Sequence, residues 1–410
     1  MKLMQINLFA NSGSTGRIAE QIGRYVITNG WESIIAYGRY ANKSENQLIK
    51  IGNKLDILVH GLLSRTYDNH SFGLSSRTAT IDFVKEIDKN KPDLIHIHNS
   101  HGYYLNNEIL FNYLSKKQIP IVWTLHDCWA FTGHCTHFDF VGCEKWKTQC
   151  FQCEQKSEYP KSLIFDRSTQ NYNSKKKIFN SLNNLTIVSV SNWLSDRVKE
   201  SYLKNHNSKV IYNGVDLNLF YPKNSRDLIN NKYKLNGRYL LLGVAPTWTE
   251  RKGLQDFLKL SKLLDNTFII VLIGLNKSQI KNLPENIIGI ERTESQEELC
   301  SFYSSADLFL NLSYEETFGL TTAEALACGV PSVVYNVTAC PELISNKTGF
   351  VVESQNIKQL FNTIKLARDL GKSKFTNACR NRAISLFDKK RLCKEYFNLY
   401  NKILINNEKK

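Results

Sequence analysis

Short apolar runs alternate with helical patterns along almost the whole chain, and the alternation begins twice. The first series of runs is Met4–Phe9, Ser33–Tyr37, Leu94–Ile97, Ile119–Leu125, Leu185–Val190 and Lys209–Tyr212. Near-continuous apolar character marks strands covered on both faces, as in a parallel sheet. Helical segments lie between them: Gly16–Thr28, Thr78–Asn90, Leu105–Lys116, Tyr172–Leu182, and Trp193–Lys204 with Ser191 as N-cap. A second series starts at Tyr239–Val244 and runs through Phe268–Ile273, Ile287–Ile290, Leu308–Asn311, Ser332–Tyr335 and Phe350–Val352. Two such series predict two doubly wound α/β domains, and 410 residues suffice for two cores. The turn-rich stretch Asn213–Lys223 is the natural junction. The pattern predicts domains over 1–212 and 213–388, helices over Lys374–Ser385 and Lys389–Ile405, and a terminal helical segment over 389–410.

The composition, 42% hydrophobic and 22% charged, is that of a globular chain. The formal net charge is +15, spread over both halves with no basic tail. Spread positive charge favours anionic ligands and surfaces, from nucleotide diphosphates to membrane headgroups and nucleic acid, without choosing among them. No run reaches the roughly 20 apolar residues of a membrane span, and the N-terminus reads as a strand rather than a signal peptide. The expectation is a cytoplasmic protein whose ten cysteines stay reduced. The basic runs Lys175–Lys177 and Lys389–Arg391 lie on predicted helices, as solvated faces or as contacts for an anionic membrane. No aromatic-basic ladder of the single-strand-binding kind is present.

The densest chemistry lies in Glu315–Pro331, EETFGLTTAEALACGVP. A turn feeding a helix offers free backbone N–H groups and a positive dipole end, a site for an anion. Glu316 before the helix and Glu324 about one turn into it flank that position, and carboxylates accept hydrogen bonds from hydroxyls. The pair suits a phosphorylated sugar. Pro246–Leu254, PTWTERKGL, follows the first strand of the second series, and its Arg251 and Lys252 beside a helix start suit a diphosphate. The alternative for that segment is a solvated basic turn. In Trp123–Asp127, WTLHD, His126 ends a buried strand, where it can meet a substrate hydroxyl or cap the strand. His96 and His98 share one face of a strand end, as a polar edge or a metal pair. The loop Ala10–Arg17, with Gly13 and Gly16, opens the first helix and admits close approach of a ligand.

Cys135, Cys143, Cys150 and Cys153 cluster in an insertion at 128–160. The closing Cys-x-x-Cys has metal-ligand spacing, and the four can form a tetrahedral zinc site that staples a segment without its own core. His134 and His137 are substitute ligands; Cys128 is a poorer one. The alternatives are four free thiols or two disulfides.

Taken together, Glu316-x7-Glu324 followed by Gly-Val-Pro, Arg251-Lys252-Gly253, His126 at a strand end, Asn213-Gly214-Val215-Asp216 and Ala306-Asp307 resemble retaining glycosyltransferases of family 4. These enzymes build bacterial polysaccharides and lipopolysaccharides. The resemblance covers nearly the whole chain and implies the GT-B fold: two Rossmann-like domains facing across a cleft, with the last helix crossing back to the first. It implies that Arg251 and Lys252 hold the donor diphosphate and that the backbone of Phe318, Gly319 and Leu320 contacts phosphate or donor sugar. Glu324 would bind the ribose, Glu316 the transferred sugar, and His126 that sugar from the first domain. Gly16 would bring the first loop close, although that loop lacks an unbroken Gly-Gly pair. The implied partners are a nucleotide-diphosphate sugar and a lipid-linked oligosaccharide or other glycan at the inner membrane face. No catalytic metal and no nucleic acid are expected. The alternatives on the same residues are a nucleotide-sugar epimerase or a sugar phosphorylase, and more remotely a zinc-ribbon nucleic-acid binder.

Overall fold

A computed structural model describes residues 1–408, which fall into two compact units, Met1–Ile211 with the chain from Leu392 onward, and Tyr212–Arg391. The first holds seven strands: β1 (Lys2–Ala10), β2 (Glu32–Ala41), β3 (Gln47–Lys50), β4 (Leu94–Ile97), β5 (Ile121–Leu125), β6 (Leu185–Ser189) and β7 (Asn207–Val210). They pair in parallel in the order β3-β2-β1-β4-β5-β6-β7. The second unit holds β8 (Tyr239–Val244), β9 (Phe268–Ile273), β10 (Ile287–Ile290), β11 (Leu308–Asn311), β12 (Ser332–Tyr335) and β13 (Gly349–Val352), in the parallel order β10-β9-β8-β11-β12-β13. In each sheet the order reverses beside the first strand of its series. Ligands of open α/β sheets bind at such points, beyond the carboxyl ends of the strands.

The strands are apolar because both faces are covered: every residue of β9, FIIVLI, is buried. Several elements escaped the sequence pattern, among them β3, the helices Lys54–Tyr67, Arg226–Tyr233 and Ile357–Leu370, and β7, which lies two residues before its expected run Lys209–Tyr212. β3 is a four-residue edge strand with no buried residue, so no apolar run betrays it. The helix Lys54–Tyr67 buries only His60, Gly61 and Ser64, and its large apolar side chains face outward. The expected N-cap at Ser191 is present, its hydroxyl accepting from the Leu194 N–H at 3.1 Å.

The last helix, Lys389–Glu408, packs into the first unit: Leu392, Cys393, Tyr396, Leu399 and Tyr400 join Leu3, Ile18, Ile22 and Val26 in one core. Its start belongs to the second unit. There Asp216 takes an ion pair from Lys389 at 2.5 Å, and a Cβ on Gly214 would lie 2.5 Å from the Lys389 Cα. In the two basic runs Lys176, Lys177 and Lys390 are exposed as a solvated face would have them, but the other three residues are not free cations. Lys175 is fully buried and donates to the carbonyls of Trp129 and Thr132, while Lys389 is paired and Arg391 donates to the Leu386 carbonyl.

Candidate functional site

In the second unit β8 and β11 are neighbours, so the loops that follow them lie side by side. After β8, a 3-10 turn over Glu250–Lys252 ends at Gly253, whose φ of 73° starts the helix Leu254–Ser261. A Cβ there would lie 2.0 Å from the Leu312 carbonyl oxygen, so only glycine lets the two loops meet. After β11, Gly319 at φ 97° starts the helix Leu320–Ala327. The Tyr314 N–H donates to the Arg251 carbonyl at 2.8 Å, and the Arg251 guanidinium donates to the Glu315 carbonyl at 2.5 Å.

This clamp brings Lys252 Nζ to 2.5 Å from Glu316 Oε1, with each side chain only 14% exposed. Ser313 Oγ donates to the same carboxylate oxygen at 2.9 Å, and the Glu316 N–H donates to Thr338 Oγ1 at 2.9 Å. Burial pushes the Glu316 carboxyl up. The charges of Lys252 and Arg251, with bonds from Lys252 and Ser313, more than offset this and hold it at about 2. Glu316 is therefore an ionised acceptor aimed by its partners. Inside the helix, Glu324 is half-buried and Oε2 accepts from Tyr303 at 2.9 Å. The first helical N–H groups, of Leu320 and Thr321, have no intrahelical acceptor. A dipole end, two cations and two oriented carboxylates thus gather at one sheet edge. Such an arrangement suits a diphosphate flanked by hydroxyl-bearing groups.

In the first unit, histidines collect at the ends of β4 and β5. His126 Nε2 lies 3.1 Å from His98 Nδ1, and the other nitrogen of His98 lies 3.1 Å from Gln5 Oε1. Burial lowers the His126 pKa to about 4; Asp127 opposes this and His101 adds to it. His126 is neutral at pH 7, able to donate or accept. Asp127 pairs with His101 at 2.9 Å and accepts from the Trp129 N–H at 2.9 Å. Burial raises its pKa, but His101 and that N–H win and hold it at about 2. His96 is no cleft edge: it is fully buried between Thr124 at 2.8 Å and the Tyr400 hydroxyl at 2.7 Å.

The sequence profile described as Glycosyltransferase Family 4 matches residues 15–219, half of the chain, and the profile of Glycosyl transferases group 1 matches 225–385. The chain belongs to glycosyltransferase family 4. Along 98% of its length the glycosyltransferase is 22% identical to 99% of the putative colanic acid biosynthesis glycosyl transferase WcaC of Escherichia coli. Over 47% of its length it is 25% identical to 54% of an N,N'-diacetylbacillosaminyl-diphospho-undecaprenol alpha-1,3-N-acetylgalactosaminyltransferase of Campylobacter jejuni. The crystal structure of Anabaena HepE in complex with UDP-glucose superposes with a TM-score of 0.66 and 13% identity, covering 98% of this chain and 100% of that one. The shared architecture is the GT-B fold.

Arg251, Lys252, Glu316, Gly319, Leu320 and Glu324 of this glycosyltransferase all belong to the two adjoining loops and the helix that follows. Phe318 turns its ring inward, against Tyr212 and Phe387 at 5.9 and 5.7 Å, so only its backbone faces the turn. Gly16 sits inside the helix Gly13–Thr28, where a Cβ would lie 3.0 Å from the Phe9 carbonyl oxygen; its bareness serves helix–strand packing. Sequence reasoning missed His101, whose partner Asp127 follows His126 directly in WTLHD.

The insertion is not coreless: Phe131 and Phe138 pack on Trp146 with ring centroids 5.4 and 4.8 Å away. Its four cysteines are thiols lining one cavity of about 20 Å³. Among the described residues, the trio of potential ligand atoms within 4.8 Å of one another is Asp68, His70 and His134.

Proposed function

We propose that this glycosyltransferase moves a sugar, with retention, from a nucleotide-diphosphate sugar to a hydroxyl of a growing lipid-linked surface glycan. The observation that carries the reading is the Lys252–Glu316 ion pair set beside Arg251 and the bare helix start at Gly319. When the sugar–phosphate bond breaks, negative charge develops on the diphosphate. Two fixed cations and a helix dipole lower the energy of that charge without a catalytic metal, an effect worth several kcal/mol at a developing anion. Glu316 holds the hydroxyls of the transferred sugar and Glu324 those of the ribose. His126, neutral at pH 7, hydrogen-bonds the sugar from the first domain. The acceptor hydroxyl attacks from the face the diphosphate leaves, and a phosphate oxygen takes its proton. A cleft between the two Rossmann-like domains, closing on the donor, would exclude water.

UDP-glucose in the HepE complex and the diphospho-undecaprenol in the Campylobacter enzyme's name support the two substrate classes. Neither relative supports an epimerase, a phosphorylase or a nucleic-acid binder. A lipid-linked acceptor requires a seat on an anionic membrane at its inner face. The helix Lys54–Tyr67 offers one: Leu55, Leu58 and Leu62 are 65%, 67% and 60% exposed. The segment beside its end adds the exposed Leu163, Ile164 and Phe165, the last stacked on Tyr67 at 5.6 Å. Exposed Lys54, Arg65, Lys161 and Arg167 supply charge complementary to anionic headgroups.

The test is thermal unfolding with a panel of UDP-, GDP- and dTDP-sugars. A donor at one hundred times its Kd stabilises by about 2.7 kcal/mol, and one member should raise the midpoint of the wild type but not of Lys252→Met. That donor should then yield product only with acceptor. Epimerised sugar appearing without acceptor, or no stabilising donor at all, refutes the reading.

A further inference from the structure

We infer that Cys135, Cys143, Cys150 and Cys153 bind one zinc ion as thiolates, with the buried ammonium of Lys175 as counter-charge. The site would lock the loop that follows His126. From His126 to Arg167 the chain forms nothing longer than the three-residue turns Trp129–Phe131, Asp139–Val141 and Lys145–Lys147. Yet within this segment all four cysteines line one cavity of about 20 Å³, room for a single ion or water; no three of their sulfurs lie mutually within 4.8 Å, so the ion would draw them together.

One of the sulfurs already accepts from a backbone amide. The Gly133 N–H donates to Cys150 Sγ at 3.2 Å. N–H donors satisfy a thiolate and do little for a thiol.

Lys175 supplies an independent observation. It is fully buried, donates to the carbonyls of Trp129 and Thr132, and lies 3.4 Å over the Trp129 ring. Among the described residues no carboxylate pairs with it, and one of its two carbonyl acceptors, that of Thr132, belongs to a residue lining the cysteine cavity. A buried ammonium facing neutral thiols is costly. On binding, one Zn²⁺ displaces four thiol protons to solvent and leaves a site of charge −2, half of which Lys175 offsets. The same two carbonyls tie the site to Trp129 and Thr132, just beyond His126 and Asp127.

The trio Asp68, His70 and His134 is the rival metal site. Its shared carboxylate already accepts from His134 Nδ1 at 2.7 Å and from the Arg167 N–H at 2.6 Å, so its oxygens are occupied. His134 Nε2, buried and without a partner, borders the cysteine cavity and is the one nitrogen that can compete for the ion.

Metal analysis of the full chain, purified without chelators, should give one equivalent of zinc. Cobalt exchange should give the absorption of a tetrahedral four-sulfur site. His134→Gln should keep both, and the control Cys300→Ser, outside the cluster, should keep the zinc. Cys150→Ser should lose it. If that variant fails to fold, chelation of the wild type should expose 126–167 to limited proteolysis. Lys175→Met should weaken zinc against a competing chelator by about 10–100-fold, as for other outer-shell partners. Absence of both zinc and cobalt uptake, disulfides among the four by mass, or metal lost with His134→Gln overturns the assignment. Zinc content is read without turnover: a metal-free enzyme that transfers sugar sinks this inference alone, and a zinc-loaded protein without transferase activity sinks only the function.

Discussion

Replacing Lys252 by methionine removes the cation from a carboxylate that is 14% exposed and held at about 2. Against its ordinary value of 4.5, that position corresponds to ~3 kcal/mol of stability at pH 7. The sign follows from a lowered pKa: the contribution is complete above about 4.5 and is lost as pH falls through 2. In Lys252→Met the buried Glu316 keeps Ser313 and the field of Arg251, so urea unfolding at pH 7 should show a loss of about 2–3 kcal/mol. The decisive variant is Lys252→Met with Glu316→Gln. Removing the stranded charge should recover more than half of that loss, because the cost lies in an unpaired carboxylate rather than in the missing ammonium. Turnover should behave differently. Lys252→Met should cost about 10²–10³-fold, the scale of one lost charge-stabilising donor, and the second change should restore none of it. A double variant no more stable than Lys252→Met would show that the pair is a solvated contact and would remove the argument for an oriented Glu316.

Gly253→Ala forces an alanine to φ 73° with its Cβ 2.0 Å from the Leu312 oxygen; calorimetry should show a loss of about 3 kcal/mol. Tyr400→Phe removes the 2.7 Å hydrogen bond to buried His96 and should lower stability of the first unit by about 1–2 kcal/mol without changing donor-induced stabilisation. Because His126 titrates near 4 when folded and near 6.5 when unfolded, its contribution is lost as pH falls from 6.5 towards 4. His126→Gln should flatten that part of the stability profile by about 2–3 kcal/mol, and an unchanged slope would place His126 in solvent. Leu58→Glu with Leu62→Glu should abolish flotation with anionic vesicles while leaving transfer to a water-soluble acceptor intact.

What the sequence made legible was whatever had one physical cause. The strands β8, β9, β11 and β12 matched their apolar runs residue for residue, since burial on both faces leaves no other signal to compete; the edge strand β10 matched as well although only Ile287 is buried. The edge strand β3 and the helix Lys54–Tyr67 did not, because partners that do not bury an element leave no period in it. The two loops of the second unit were readable because charge, glycine and turn chemistry coincide in ERKG and EETFGL. What no pattern carried was pairing across the chain. Lys252 and Glu316 are 64 residues apart and meet only because β8 and β11 are neighbours. Lys175 misled for the same reason. In sequence it is the head of a basic run on a helix; in the fold, its position on that helix points the ammonium at two carbonyls 43 and 46 residues back. A buried lysine without a paired carboxylate is costly to keep charged, and a negative cluster beside it would lower that cost. The charge that composition assigned to solvent thus becomes a constraint on the chemistry of the insertion, and through the carbonyls of Trp129 and Thr132 on the loop that follows His126.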